Sequence, residues 1–404
     1  GQNNTVNFTL NNSETESNTN GLIQNGTFSV NGFSNITIKN IGITNDINVT
    51  LNSAQGWLCQ QNFGRNISSG RIVIENCYST GEISVYGTGG IVGGFLCTGM
   101  SGGSIIIQNC YATGEITGGS AGGISGFFVC LLMSSGSITI KNCYTTGNIS
   151  DDGAGGIAQA VGNMMSGGSI TIQNSYTTGD INGNNAGGIA GSVCTSMSGG
   201  LITIQNCYAT GDITGNEAGG IAGYGCDSMT DGSITIQNCY TTGNISGNGA
   251  GGIAGAELGN SMSGGSITIQ NCYTIGEISG NSAGGIAGAE LGFKMKGDSI
   301  TIQNNIYNDS GNNKPLIGSI SKEQFLTNEN NITQSDNNWS YKNALNTIFS
   351  QNTWGTTYSE NIINNNRWFL LSNIENDITI VFIIENNNNN NHRIKKKMIF
   401  IRFT

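Results

Sequence analysis

The chain has 404 residues, 64 of them glycine and only one, Pro315, proline, and its glycines recur at fixed intervals, which excludes a glycine-plus-proline low-complexity polymer. Charged residues make up only 10% of the chain and the net charge is −10, which excludes a nucleic-acid-binding body. No run approaches the ~18 apolar residues of a membrane-spanning helix.

Residues 1–35 contain polar, strand-like phrases, TVNFTL and GTFSVNG, and are expected to form an N-terminal cap over the open end of a repeat array. From 36 to 307 the chain repeats itself. The phrase ITIQNCY and its variants place asparagine at Asn76, Asn109, Asn142, Asn174, Asn206, Asn238, Asn271 and Asn304, with steps of 33, 33, 32, 32, 32, 33 and 33 residues, and a weaker copy places Asn40. Tyrosine keeps the same step from Tyr78 to Tyr273, and methionine from Met100 to Met295.

Within each copy the apolar/polar alternation of Ile138, Thr139, Ile140 and Lys141 predicts a half-buried strand. Two further short apolar elements, around Ile149 and Ile157, follow between glycine or asparagine corners. Three short strands per copy and no capped helical period predict an all-β chain, a parallel β-helix (β-solenoid) of about nine coils of 32–33 residues. Backbone pairing at ~4.8 Å would then stack equivalent side chains, isoleucine into the core and asparagine into an amide ladder at a corner.

After Asn304 the pattern dissolves. Residues 308–385, with Trp339, Trp354 and Trp368, are expected to be a C-terminal cap or small module, in which WSYKNALNTIF is a short helix candidate and ITIVFII a strand. Residues 386–404, six asparagines followed by Arg393, Lys395, Lys396, Lys397 and Arg402, read as a solvated basic tail.

The eleven cysteines carry the most chemistry. One set follows the ladder asparagine (Cys77, Cys110, Cys143, Cys207, Cys239, Cys272), and a second lies three residues before methionine or in the matching early loop (Cys59, Cys97, Cys130, Cys194, Cys226). The coil with Ser175 has Gly162 at the other position, so the two sets come and go together. That predicts disulfides Cys59–Cys77, Cys97–Cys110, Cys130–Cys143, Cys194–Cys207 and Cys226–Cys239, each worth roughly 3 kcal/mol and implying an oxidising compartment. Stacked buried thiols are the alternative, and the repeated C-x-x-M pairs leave soft-metal binding as a third.

Catalysis finds little to work with. Acids recur at one turn position (Glu82, Glu115, Asp180, Asp212, Glu277, with Asn148 and Asn244 substituting), but between residues 66 and 293 the only bases are Arg71 and Lys141, and the only histidine is His392. No catalytic, cofactor or metal-binding residue is therefore assigned. The outward row Thr139, Thr171, Thr203, Thr235, Thr268 and Thr301, with Gln173 to Gln303 two places on, offers a flat surface able to order water, so ice binding stands beside a carbohydrate-active enzyme as an alternative function.

The phrase NCYTTGNISG followed by GGIAG resembles the GLUG-motif repeats of bacterial surface proteins and adhesins, also seen in giant viruses of amoebae. Isoleucine replaces leucine at Gly90–Gly93, Gly123–Gly126, Gly188–Gly191, Gly220–Gly223, Gly252–Gly255 and Gly285–Gly288, and one copy departs at Gln159. The resemblance implies a right-handed solenoid on a cell or virion surface and specifies no catalytic residues. Taken together, the expected function is a non-enzymatic structural or adhesive protein, a fibre, spacer or ligand-binding solenoid. Its expected partner is a host-surface glycan or protein, or further copies of itself.

Overall fold

The computed structural model describes residues 18–45, 49–293, 295, 299–303 and 305–307, together with the backbone of strands Asn4–Phe8, Ile317–Ser319, Ile332–Gln334, Trp339–Ser340, Asn366–Ile374, Asp377–Ile384 and Lys397–Phe403. The chain divides into two compact units, Gly1–Lys342 and Asn343–Thr404.

The first unit is a parallel β-solenoid. One face is a ten-stranded parallel sheet built from the ITI phrases, running through Ile36–Lys39, Arg71–Glu75, Ser101–Gln108, Ser135–Lys141, Ser166–Gln173, Ser198–Gln205, Asp231–Gln237, Ser266–Gln270 and Ser299–Gln303 to Ile332–Gln334. Equivalent residues pair directly: Ile138 with Ile170, Thr139 with Thr171, Ile140 with Ile172. β-branched residues suit these pleats because one side of each strand is core and the other solvent, and the strand Ser266–Gln270 alternates half-exposed and buried from end to end.

A second face is an eleven-stranded parallel sheet of mostly two-residue strands such as Tyr111–Ala112 and Tyr144–Thr145. The third is narrower, with regular strands at Ala158–Val161, Ala190–Val193 and Ala222–Tyr224 and again at Ala287–Ala289, which pairs with Ile317–Ser319. Elsewhere it is held by single bridges, and the row Gly56, Gly89, Gly122, Gly155, Gly187, Gly219, Gly251, Gly284 counts eight turns against the nine expected. The ninth copy's anchor, Asn304, lies outside the described residues. Glycine is required in that row because a Cβ on Gly187 would collide with the carbonyl oxygen of Ala190 three residues on.

The interior is a continuous column of apolar side chains. Ile74, Ile107, Ile140, Ile172, Ile204, Ile236, Ile269 and Ile302 are fully buried, as is the column from Ile83 to Ile278, joined coil to coil by single bridges beyond the second sheet. Each such isoleucine stabilises by about 1.5–3 kcal/mol relative to exposure, but only because the coils above and below complete its cavity.

The segment expected as an N-terminal cap pairs in parallel with the first coil. Asn4–Phe8 pairs in parallel with Ile41–Asn45, Asn18–Thr19 with Thr50–Leu51, and Ile23 bridges Cys59. Past residue 307 the parallel pairing also persists, through Ile317–Ser319, Ile332–Gln334 and Trp339–Ser340. The helix candidate therefore begins as strand at Trp339–Ser340, and its remaining residues lie outside the described ones. The second unit is an antiparallel three-stranded sheet, Asn366–Ile374, Asp377–Ile384 and Lys397–Phe403. Its last strand corrects the expectation of a solvated tail: the alternating KMIFIRF pairs with ITIVFII, so apolar register outweighs local basic charge.

Candidate functional site

The repeated polar side chains turn towards each other along the axis. Asn40, Asn76, Asn109, Asn142, Asn174, Asn206, Asn238 and Asn271 all adopt φ between 52° and 60°, the left-handed region that asparagine tolerates better than most residues. Each Nδ2 donates to the Oδ1 of the preceding coil: Asn76 to Asn40 at 3.2 Å, Asn109 to Asn76 and Asn142 to Asn109 at 3.1 Å, Asn174 to Asn142 at 3.3 Å, Asn206 to Asn174 at 3.2 Å. From Asn206 onward the ladder lapses among the described residues, where the buried Oδ1 atoms of Asn206, Asn238 and Asn271 have no hydrogen-bond partner. A glutamine ladder covers those coils, Gln205 to Gln173, Gln237 to Gln205 and Gln270 to Gln237 at 2.9 Å and Gln303 to Gln270 at 2.8 Å.

Seven tyrosines, Tyr78 to Tyr273, form one stack with centroids 4.7–5.0 Å apart and planes within 7°. Ring faces within the stack are occupied by neighbouring rings, so it presents edges and hydroxyls. Burial, followed by the neighbouring phenol, raises the pKa of Tyr176, Tyr208 (to about 12), Tyr240 and Tyr273 above the ordinary value.

The acidic row is part of the same scaffolding. Glu115 Oε2 accepts the backbone N–H of Asn148 (3.0 Å), Asn148 Oδ1 that of Asp180 (2.9 Å), Asp180 that of Asp212 (2.9 Å), Asp212 that of Asn244 (2.7 Å) and Asn244 that of Glu277 (3.0 Å). Asp and Asn interchange in this row because both supply the oxygen that the next coil's N–H needs. Among the described residues, no group of three or more His, Cys, Asp or Glu side chains is placed to hold a metal ion.

The five expected disulfides, Cys59–Cys77, Cys97–Cys110, Cys130–Cys143, Cys194–Cys207 and Cys226–Cys239, are not formed in the structure: all eleven cysteines are free, buried thiols. Burial raises the thiol pKa of Cys59, followed by the influence of its expected partner Cys77 and of Cys110, while the other thiol influences run from coil to coil within one set. The leading influence on Cys77 is its hydrogen bond with Cys110, and on Cys110 that with Cys143. Burial raises the thiol pKa of Cys97, Cys207 and Cys226, and the next influence comes from Cys130, Cys239 and Cys194 respectively.

Each set answers a separate local demand. In the first, Cys110 Sγ donates to the Gln108 carbonyl at 3.3 Å, as Cys143, Cys207, Cys239 and Cys272 do two residues back. Ser175 Oγ does the same to Gln173 at 3.0 Å, and Asn305 Nδ2 reaches the Ile269 carbonyl at 3.1 Å. In the second, Cys97, Cys130 and Cys194 have φ of 57–65°, and glycine with positive φ takes the place at Gly162, Gly259 and Gly292. Cys59 does not belong to that set: it bridges Val92, and a Cβ on Gly64 would lie 3.6 Å from Cys97 Sγ, so Gly64 is the true equivalent. The joint loss of both cysteines in the coil of Ser175 is not explained by these contacts. Methionine persists throughout because its methyl group packs over glycine of the next coil, as Met133 Cε does over Gly168.

Off the periodic columns, the sequence reading missed one carboxylate group. Tyr224 Oη donates to Glu257 Oε2 (2.5 Å), as does Asn260 Nδ2 (2.8 Å), while burial and then the charges of Glu257 and Glu290 hold the Glu217 carboxyl above its usual range. No protein-family model, curated protein sequence or solved structure matches this chain.

Proposed function

We propose that the chain is a non-enzymatic structural or adhesive element of a cell or virion surface, its solenoid serving as a stiff spacer that carries binding surfaces. One observation supports this most: along the body, tyrosine, asparagine, glutamine and carboxylate side chains bond to their equivalents or to the next coil's backbone, so the acid row is engaged in building the stack. The resemblance to GLUG-motif repeats supports the surface location, which on this reading does not draw on disulfides. The competing carbohydrate-active enzyme would need a free acid and base on that row.

Two assays together test the reading. Incubation with neutral and uronic-acid polysaccharides is expected to release no new reducing or unsaturated ends, while intact host cells or immobilised glycans and surface proteins retain the chain. Turnover of any polysaccharide would contradict it. A second reading, ordering of water, is favoured by the unbroken register of Thr139, Thr171, Thr203, Thr235, Thr268 and Thr301 on the outward side of the first face. Thermal hysteresis that disappears in Thr203→Leu would establish it.

A further inference from the structure

At the N-terminal end, where residues 20–33 stack on residues 52–65, the outer surface opens into a cleft of about 640 Å³ whose lining differs from the rest of the body. No charged side chain lines it; amides dominate, among them Gln24, Asn52, Gln55, Gln61 and Asn62, together with the ring of Phe28. We infer that this cleft is a binding site for a neutral sugar. The inference deepens the proposed adhesive function and rests on it.

The aromatic is presented by construction. Asn25 clasps the base of its loop with both amide atoms, Nδ2 donating to the Phe33 carbonyl (2.9 Å) and Oδ1 accepting the Phe33 N–H (2.7 Å). The tip is a tight turn, with Thr27 N–H to the Val30 carbonyl at 2.9 Å and Val30 N–H to Thr27 Oγ1 at 3.1 Å. Phe28 sits on that turn 82% exposed, its ring held by the Arg65 guanidinium 5.2 Å from the centroid. A phenylalanine so exposed contributes nothing to the core, and the hydrogen bonds that fix it there make sense as presentation of an apolar ring to a ligand.

The amides supply the complementary chemistry. The side chains of Gln24 and Gln61 make no hydrogen bond to any described residue, and that of buried Gln55 is bonded only through Oε1, to the Gln61 N–H at 3.3 Å. Asn52 is oriented by its bond to Asn20 at 2.9 Å, and Gln60 by the Gly21 carbonyl at 2.8 Å. An amide carries a donor pair and an acceptor in one plane, which matches adjacent hydroxyls on a pyranose ring, and an aromatic ring matches the ring's C–H face. The cleft volume lies in the range of small-ligand sites, and its lining side chains are uncharged, the nearby Arg65 guanidinium being turned to the Phe28 ring and to Asn62 Oδ1 (3.5 Å), which makes a neutral ligand the better match.

Saturation-transfer NMR on the full chain, with the methyl glycosides of glucose, galactose, mannose and N-acetylglucosamine as probes and methyl glucuronide and triglycine as counter-probes, tests the site. At least one neutral glycoside is expected to receive saturation in preference to both counter-probes. Phe28→Ala and, separately, Gln24→Ala are expected to weaken it by about tenfold, with unchanged circular dichroism, since both side chains are exposed; Thr203→Ala on the distant threonine row leaves it intact. Binding that survives both cleft variants overturns the site while leaving the adhesive reading standing. Saturation of no neutral glycoside, or of triglycine equally, overturns the inference, and retention of the chain by host surface proteins would then separate that failure from failure of the adhesive reading.

Discussion

Asn174 answers two demands at once: a left-handed backbone at φ 52° and a place in the amide ladder between Asn142 and Asn206. Glycine would meet the first demand and alanine neither. Removing the ladder bonds costs about 0.5–1.5 kcal/mol each, and left-handed backbone costs a further ~1–2 kcal/mol for a residue with an ordinary side chain. Asn174→Ala is therefore expected to lower stability by roughly 2–5 kcal/mol, and Asn174→Gly by clearly less. Urea unfolding of the two variants checks the order, and alanine equal to or milder than glycine would contradict it. Repetition made the ladder legible in the sequence, but a recurring letter does not carry the sign of φ, so the backbone reason for asparagine was not. The cysteines show the same limit. Joint occurrence looked like pairing, whereas the structure assigns one set to a carbonyl acceptor and three members of the other, Cys97, Cys130 and Cys194, to a glycine-like backbone. Unfolding without reductant is accordingly expected to expose eleven titratable thiols, and substantially fewer would restore the disulfide reading. Glu217 makes a pH-dependent prediction. Its carboxyl is raised in the folded state, so the stability it lends is present when protonated and is lost as pH rises through its folded pKa. Glu217→Gln should raise the urea midpoint at neutral pH and lose that advantage in acid.

Among the elements, the first face was the most legible, because its period-two alternation extends over several residues in every coil. The second face was misplaced: a strand was expected around Ile149, which makes only single bridges, while the paired strands are two-residue ones at the tyrosines, such as Tyr144–Thr145 and Tyr176–Thr177. The third face was legible in the apolar element around Ile157, beside which the strand Ala158–Val161 forms, whereas the closing strand Lys397–Phe403 was not, because its basic residues masked the apolar alternation of KMIFIRF. Five tyrosines of the stack, Tyr111, Tyr176, Tyr208, Tyr240 and Tyr273, titrate higher in the folded chain than the ordinary value of about 10, Tyr208 at about 12. Folded-state stability from neutral phenols is therefore complete below pH ~10 and is lost as pH rises through about 12. Tyrosinate absorbance is expected to rise together with loss of β-sheet circular dichroism. Ionisation of the stack well before unfolding would argue against the packed rings.

For the whole molecule, the sequence made a solenoid legible but not its limits. The segment expected as an N-terminal cap pairs in parallel with the first coil, and such pairing passes the expected end at residue 307 to reach Trp339–Ser340. The pairing at both ends escaped detection because it depends on backbone register with the adjoining coil, not on a repeated phrase. The N-terminal cleft escaped for a related reason: its residues come together across two coils and follow no column. In-register stacking, one coil for each copy, underlies every ladder and surface of the solenoid. It is tested most directly by electron-spin distances from a label at Thr80 to labels at Thr210, Thr242 or Ile275, four, five and six coils away along the tyrosine face. The buried native thiols stay out of reach of the reagent in the folded chain. The account predicts separations of about 19, 24 and 29 Å, rising by ~4.8 Å per coil; distances that do not climb in equal steps with coil number would contradict it.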